Sequence, residues 1–433
     1  MSSRRGFAGV LALIALVGLG IRLAYVVGEK WDEPMVGDQI YYNAAANNLA
    51  RGEGFVVPFD PDDPLQPGIG PAADHPPFTI MVIAPVSWLA HQNPNAQRLA
   101  MAMLGVAVVV AIGYVGRAIS GDRTGWIAAG IAALYPNLWV NDALIMSETL
   151  AALTVALALG LTYRLLRRPT IVTALGLGAV CGLAALTRAE LILLVVGLAV
   201  PAVIVVWYRQ RAECVQAIVV TVVAAAVVIG PWAVFNLGRF QKPTFLSTNE
   251  GIALLGSNCE PVYSGDAMGL TDLGCLPDPP PPGDQSVLSA DYRYRAARYA
   301  RDHADRLPPV ALARVGRVWS VYRPADMLTY NIGEGRERWV TYLGLVAYYP
   351  LVVLAALGLW TLRRSVLQWW PLLVPVAIVT VAAVVTYGQT RFRVPAEPSI
   401  VLLAAVAINW VLPGALVDRA ARSRARAAAA SSA

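Results

Sequence analysis

Apolar residues in this chain gather into long runs, each closed by a short polar or basic segment. Ten such runs lie at about 7–27, 97–117, 124–141, 147–166, 170–187, 190–208, 215–235, 340–362, 369–387 and 397–414. Most approach the ~20 residues that a helix needs to cross the hydrocarbon of a bilayer. The pattern predicts an all-α polytopic membrane protein with about ten transmembrane helices. Spans 170–187 and 190–208 are short and parted only by "TRAE".

Two polar segments are too long for simple connections. The first, 28–96, predicts juxtamembrane helices in an outer loop; the second, 236–339, predicts a small extracytoplasmic loop region. The chain then divides into an N-terminal membrane module (1–235, with loop 28–96), the loop region, C-terminal helices (340–415) and a cytoplasmic tail (416–433). Residues 39–51 place Tyr41, Ala45 and Leu49 on one helical stripe, with Asn43, Asn47 and Arg51 turned away. That spacing predicts a short amphipathic helix on the membrane surface. "FTIMVIAPVSWLA" (78–90) is too short to span and predicts an interfacial or re-entrant helix. "SADYRYRAARYARDHADR" predicts a helix at 289–306.

Charge fixes the expected orientation. With a cytoplasmic N-terminus, Arg4 and Arg5, Arg117 and Arg123, Arg164, Arg167 and Arg168, Arg209 and Arg211, Arg363 and Arg364, and Arg419, Arg422, Arg424 and Arg426 all fall inside. This is the bias that the positive-inside rule describes, and it puts both termini in the cytoplasm. The first span is expected to remain uncleaved, since no A-x-A-like site follows it. Charged residues make up 14% of the chain and hydrophobic ones 57%. The net charge of +6 is spread in short clusters between apolar runs, so nucleic acid is not an expected partner.

Cys181 and Cys214 fall in or beside spans and are expected as free thiols. Cys259 and Cys275 share the second outer segment and are expected to pair. "GLGAVCG" (176–182) mimics a dinucleotide loop but lies inside a span. There Gly178 and Gly182 form a small-xxx-small face for helix packing.

Candidate chemistry collects on the outer side. Asp38 is an N-cap for a helix starting at Gln39, or a general base at the membrane exit, or both. In "ADHPPF" two prolines stiffen Asp74-His75, an acid and an imidazole suited to phosphate, sugar or metal. Ser147 caps the span that begins "SETL", with Glu148 at the positive end of its dipole. Glu148 and Arg188 face the same outer side. "GQTRFRVPAEP" (388–398) reads as extended, with Arg391 and Arg393 directed to one face. Arginine's fork suits phosphate oxygens, so these two are the expected anion site.

"GDQIYYNAAANNLARGEGF", "HPPF", "YPNLWVNDALIMSETL", "GLAALTRAELIL", "GPWAVFNLGRFQKPTFLSTNEG" and "RFRVPAEP" follow one another in an order that resembles the GT-C glycosyltransferase superfamily. The resemblance is to the branch of protein O-mannosyltransferases and lipid A aminoarabinose transferases (family 39-like). It implies a catalytic acid at Asp38, a polyprenyl-phosphate-linked sugar donor and an inverting transfer on the extracytoplasmic side. It also implies donor or phosphate contacts by His75, Tyr41, Arg188, Arg391 and Arg393. No cofactor is required by it, although a divalent metal with Asp74 as ligand is one possibility it carries. The implied acceptor is a glycolipid, a cell-wall glycan or a protein. The Ala-, Val- and Arg-rich composition resembles actinobacterial members, and the implied location is a bacterial plasma membrane. Many relatives have Asp-Glu where this chain has Asp38-Gln39. A transporter or flippase of lipid-linked glycan is the alternative, and it would need polar residues midway along several spans.

Overall fold

The computed structural model describes residues 4–58, 68 and 70–412. The C-terminal arginines from Arg419 onward and the expected tail 416–433 lie outside the described residues. The chain runs through α1 (Arg4–Tyr25), α2 (Asp38–Ala50), α3 (Phe78–Leu89), α4 (Pro94–Ser120), α5 (Asp122–Leu134), α6 (Pro136–Trp139), α7 (Glu148–Arg167), α8 (Ile171–Thr187), α9 (Val200–Trp207) and α10 (Arg211–Leu237). The second polar segment forms α11 (Glu250–Gly256), α12 (Gln285–Asp302), α13 (Leu307–Val318) and α14 (Met327–Tyr330). Three long helices close the fold: α15 (Arg338–Leu362), α16 (Val366–Val385) and α17 (Glu397–Val411). Among the described residues no strand forms; an isolated bridge joins Val56 and Pro71.

Among the described residues, eight segments are long and apolar enough to cross a membrane: Arg5–Lys30, Pro94–Ser120, Glu148–Arg167, Ala189–Trp207, Arg211–Leu237, Arg338–Leu362, Val366–Val385 and Thr390–Val411. The protein is a multi-pass membrane protein. Two expected spans fall short of that length. Residues 124–141 break at Tyr135, whose ψ of 115° is extended because Pro136 follows it. α5 therefore has 13 residues and rises about 20 Å. α8 has 17 residues and rises about 26 Å.

Close backbone approach holds the bundle together, as expected where lipid removes the hydrophobic drive between helices. A Cβ added at Gly178 of α8 would lie 2.0 Å from the Thr221 carbonyl oxygen of α10, and one at Gly182 would lie 2.9 Å from Val228 Cβ. Gly358 of α15 meets the Leu403 carbonyl of α17 at 1.9 Å in the same sense. Arg22, which interrupts the apolar run of α1, is 1% exposed. Its Nε donates to Asp142 Oδ2 at 2.7 Å, and Thr149 Oγ1 donates to Asp142 Oδ1 at 2.7 Å. This buried pair ties the end of α1 to the turn before α7.

α2 does not rest on the surface with its asparagines outward. Tyr42, Ala45 and Ala46 pack with Ile80, Ile83, Met101 and Ile145. On another stripe, Asn43 Nδ2 donates to Gln97 Oε1 at 2.9 Å, and Gln97 Nε2 donates to Asn47 Oδ1 (3.0 Å) and Ser87 Oγ (2.6 Å). Gln97 is fully buried, so the asparagines satisfy a polar group that α4 brings into the interior. Their polarity answers α4 rather than water. α3 is a short helix beside it, with Trp88 and Leu89 exposed.

In the second segment Cys259 and Cys275 are disulfide-bonded, while Cys181 and Cys214 are free. Helix α12 begins at Gln285, ahead of the expected 289. Asp284 accepts from the Ser286 and Val287 amides and so caps it earlier than the sequence pattern suggested.

Candidate active site

Asp38 opens α2 but does not cap it. Gly37 occupies the N-cap position with φ +61°, and no side-chain cap hydrogen bond forms there. The carboxylate is left to point out of the helix start, where Arg391 meets it. Arg391 Nη1 donates to Asp38 Oδ2 at 2.8 Å and to Glu334 Oε2 at 2.7 Å. Burial alone would raise the pKa of Asp38. The Arg391 guanidinium, helped by His75 and Arg188, instead holds it well below the usual carboxylate range.

Glu334 was not anticipated from the sequence. It ends the 3-10 turn Ile332–Glu334, which Gly335 closes at φ +77°. The Gly335 carbonyl accepts from the buried Lys30 Nζ at 2.7 Å, fixing this turn to the end of the first span. Glu334 thus supplies a second carboxylate where the Asp38-Gln39 sequence seemed to leave one acid alone. The available signal was a run of polar residues, "NIGEGRER", just before α15.

His75 lies beneath Asp38, with Nε2 4.0 Å from Asp38 Oδ1. Its ring stacks on Tyr42 at 4.9 Å and meets the edge of Tyr41 at 4.9 Å. The two prolines after it lead into α3, so the imidazole is held between a stiff backbone and two phenol rings. Asp74 turns elsewhere. Its Oδ2 accepts from Gln285 Nε2 at 2.8 Å, while Gln285 Oε1 accepts from the Ala73 amide at 3.0 Å. Burial raises the Asp74 pKa, opposed by His75 and by Gln285. This donor set does not fit the divalent metal that the family resemblance allowed at Asp74. Its carboxylate is engaged by an amide, and Asp38 and Glu334 are engaged by a guanidinium. Among the described residues no group of three or more His, Cys, Asp or Glu gathers to hold a metal ion.

Arg188 follows the end of α8. Its Nε donates to Glu190 Oε1 at 2.6 Å, its guanidinium lies over the Phe392 ring at 5.0 Å, and Nη1 is 3.8 Å from Glu148 Oε1. Glu148 is 1% exposed and sits between Arg188 and Arg336, which lies 3.7 Å away. Ser147 occupies the N-cap position of α7 without the expected cap hydrogen bond.

The segment carrying the two arginines is not extended. Thr390–Ala396 is a 3-10 helix, so alternate residues do not share a face. Arg391 reaches Asp38, whereas Arg393 is 2% exposed and donates to Glu397 Oε1 at 2.7 Å and to Ser320 Oγ at 3.0 Å. Its guanidinium also covers the Tyr348 ring at 3.6 Å. The expected pair of phosphate-facing arginines is thereby divided: Arg391 and Arg188 face one cavity, and Arg393 braces α17.

That cavity has a volume of about 340 Å³ and is lined by Asp38, Tyr42, His75, Ser147, Arg188 and Arg391 among others. Its lining includes the apolar side chains of Leu193, Val381, Val385 and Phe392 and, from the second polar segment, Ser247, Asn249 and Glu250. Leu193, Val381 and Val385 are exposed. Tyr387, Glu190 and Glu250 line it as well and were missed, because their segments carry no spacing that marks a site. Tyr41 does not line it and touches the His75 ring instead.

Residues 74–235 match the family model described as dolichyl-phosphate-mannose-protein mannosyltransferase. That range includes His75, Glu148 and Arg188, and ends before Arg391. No curated protein matches the chain by sequence. Among solved structures, the archaeal oligosaccharyltransferase AglB from Archaeoglobus fulgidus, in complex with an inhibitory peptide and a dolichol-phosphate, matches 96% of this chain and 52% of its own. The identity is 14% and the TM-score 0.57. Its apo form matches 98% and 52%, at 15% identity and a TM-score of 0.58. ArnT from Cupriavidus metallidurans bound to undecaprenyl phosphate matches 94% and 78%, at 16% identity and a TM-score of 0.42. The chain spans about half the length of the oligosaccharyltransferases and has their fold over that span. The all-α polytopic fold expected from the sequence is the fold found.

Proposed function

We propose that the protein is an inverting membrane glycosyltransferase that moves a sugar from a polyprenyl-phosphate carrier to a hydroxyl acceptor on the extracytoplasmic side. The observation that carries this reading is the meeting of Asp38, Arg391 and Arg188 in one cavity with both apolar and polar lining. A prenyl chain suits the apolar lining, its phosphate the guanidinium groups, and a polar acceptor the residues Ser247, Asn249 and Glu250. The match to a dolichyl-phosphate-mannose-dependent family model supports the same donor class.

In this reading the acceptor hydroxyl donates its hydrogen bond to Asp38, which takes the proton as the oxygen attacks the anomeric carbon. The bond from that carbon to the phosphate oxygen breaks, and the lipid phosphate leaves with its charge met by arginine. A single displacement inverts the anomeric configuration. His75, at 4.0 Å from the carboxylate and stacked on Tyr42, would border the donor head group.

The orientation rests on the arginine bias. It also agrees with the cavity, which draws Asp38, Ser147, Arg188, Glu250 and Arg391 from the segments expected outside. The test is transfer of label from a polyprenyl-phosphate sugar in proteoliposomes, comparing wild type with Asp38→Asn. Transfer by the variant at near the wild-type rate would remove Asp38 as the base and with it this mechanism.

A further inference from the structure

An arginine Nη group has two hydrogens, and those of Arg391 Nη1 point to two carboxylates, Asp38 at 2.8 Å and Glu334 at 2.7 Å. The other arginine on the cavity wall, Arg188, is bound to Glu190 at 2.6 Å. A phosphate entering the cavity therefore meets guanidinium groups already paired with the protein's own acids. Spare donors remain on both guanidinium groups, but the phosphate is held best by also displacing one of these carboxylates, whose like charge beside it is unfavourable.

The Asp38 contact is the one placed to give way. The Asp38 side chain is 31% exposed and borders the cavity, whereas that of Glu334 is 18% exposed. Glu334 is also carried on the turn that Lys30 fixes through Gly335. Arg391 Nε has no partner, so the guanidinium holds a spare donor while Glu334 keeps its grip. Beyond Arg391 and its partner Glu334, the charged or titratable groups that act on Asp38 include His75 at 4.0 Å, Arg188, Asp74, Tyr42 and Tyr387.

We infer that Asp38 is a latent base. The donor's phosphate takes the Arg391 guanidinium from Asp38, and the carboxylate becomes available to the acceptor hydroxyl only once the donor is loaded. Glu334 holds Arg391 in place during the exchange. An empty site then presents a neutralised carboxylate, and base activation is coupled to donor binding. This inference rests on the cavity being the lipid-phosphate site.

The coupling has a consequence that simple anion binding lacks: disabling the base should strengthen donor binding. The experiment is equilibrium binding of undecaprenyl phosphate to the purified full chain in nanodiscs, for wild type and for Asp38→Asn, Arg391→Gln and Glu250→Gln. Asp38→Asn removes the competitor while keeping the shape. It should bind about tenfold tighter, the scale of one charge-assisted hydrogen bond. Arg391→Gln should bind at least about tenfold more weakly. Glu250→Gln makes the same charge change elsewhere on the wall and should gain at most about twofold, the scale of an exposed charge. Equal or weaker binding by Asp38→Asn overturns the latent base, as does an equal gain by Glu250→Gln. Absence of saturable binding by every variant would overturn the reading of the cavity as well, so the two failures are distinguishable.

Discussion

Arg391 Nη1 stands 2.8 Å from Asp38 Oδ2, across 353 positions of sequence. The contact joins the first polar segment to the start of the last span. The proposed base thus depends on how both ends of the chain close around the cavity. Removing the cation should change the chemistry of the acid as well as its position. In Arg391→Gln the burial that favours the neutral carboxyl is no longer outweighed, so the Asp38 pKa should rise. Wild-type kcat/KM, which reports the donor-free enzyme, is expected to show no acid limb from Asp38 in the ordinary carboxylate range. The variant should show one at higher pH and a rate at least about 100-fold lower. Matching pH profiles would separate Arg391 from the base.

The same pair bears on stability. A carboxyl held below its ordinary range contributes stability at pH values above the unfolded-state pKa, and loses it as pH falls through the depressed folded-state value. Asp74 has the opposite sign, because burial raises its pKa. Its contribution is full below the unfolded-state pKa and is lost as pH rises through the folded-state value. Wild type minus Asp74→Asn, compared by thermal unfolding between mildly acidic and neutral pH, should show the Asp74 term favouring acid.

Glu334 shares Nη1 with Asp38, so its removal has two expected consequences. One hydrogen of the guanidinium becomes available to the donor phosphate, and Arg391 loses the partner that holds it in register. Glu334→Gln should lower the KM for the lipid donor and lower kcat as well. A rise in KM with kcat unchanged would place Glu334 in donor binding instead.

Much of this candidate site was legible in the sequence because Arg188 and Arg391 follow apolar runs, His75 precedes one, and Asp38 lies in the polar segment after the first. The resemblance to a known family also put them in order. The sequence did not reveal which way side chains turn inside polar segments. Asn43 and Asn47 look solvent-facing by helical spacing, yet they turn inward because Gln97 on α4 must be satisfied. Arg391 and Arg393 look equivalent in an extended reading; the 3-10 turn separates them, and Glu397 one turn later claims Arg393. Glu334 depends on Gly335 and on Lys30, which is 305 positions from that glycine, a relationship no local pattern records.

Gly37 links local backbone geometry to the site. Its φ of +61° is a conformation that residues with a Cβ rarely adopt, and an added Cβ would lie 3.1 Å from the Gly333 carbonyl and 3.2 Å from Glu334 Oε2. Gly37→Ala should destabilise by about 1–2 kcal/mol and reduce transfer by displacing both carboxylates. Gly9→Ala, inside α1 with nothing within 4 Å of the added atom, is the control expected to leave transfer unchanged and not to lower stability. Equal unfolding temperatures for the two variants would refute the role assigned to Gly37.

The orientation can be tested with the four native cysteines. Cys259 and Cys275 are bonded to each other in the segment expected outside, where oxidation is permitted. Cys214 lies near the start of α10, at the end expected inside, and is a free thiol of intermediate exposure. Intact cells treated with a membrane-impermeant maleimide should leave all four unlabelled. Mild impermeant reductant before labelling should add two maleimides, at Cys259 and Cys275, and Cys214 should react only after the membrane is opened. Breaking the bridge should also weaken the loop region by roughly 3 kcal/mol, the chain entropy of closing a loop of this size. Labelling of Cys214 in sealed cells would invert the topology and place the Asp38 cavity on the cytoplasmic side, where the proposed extracytoplasmic transfer could not occur.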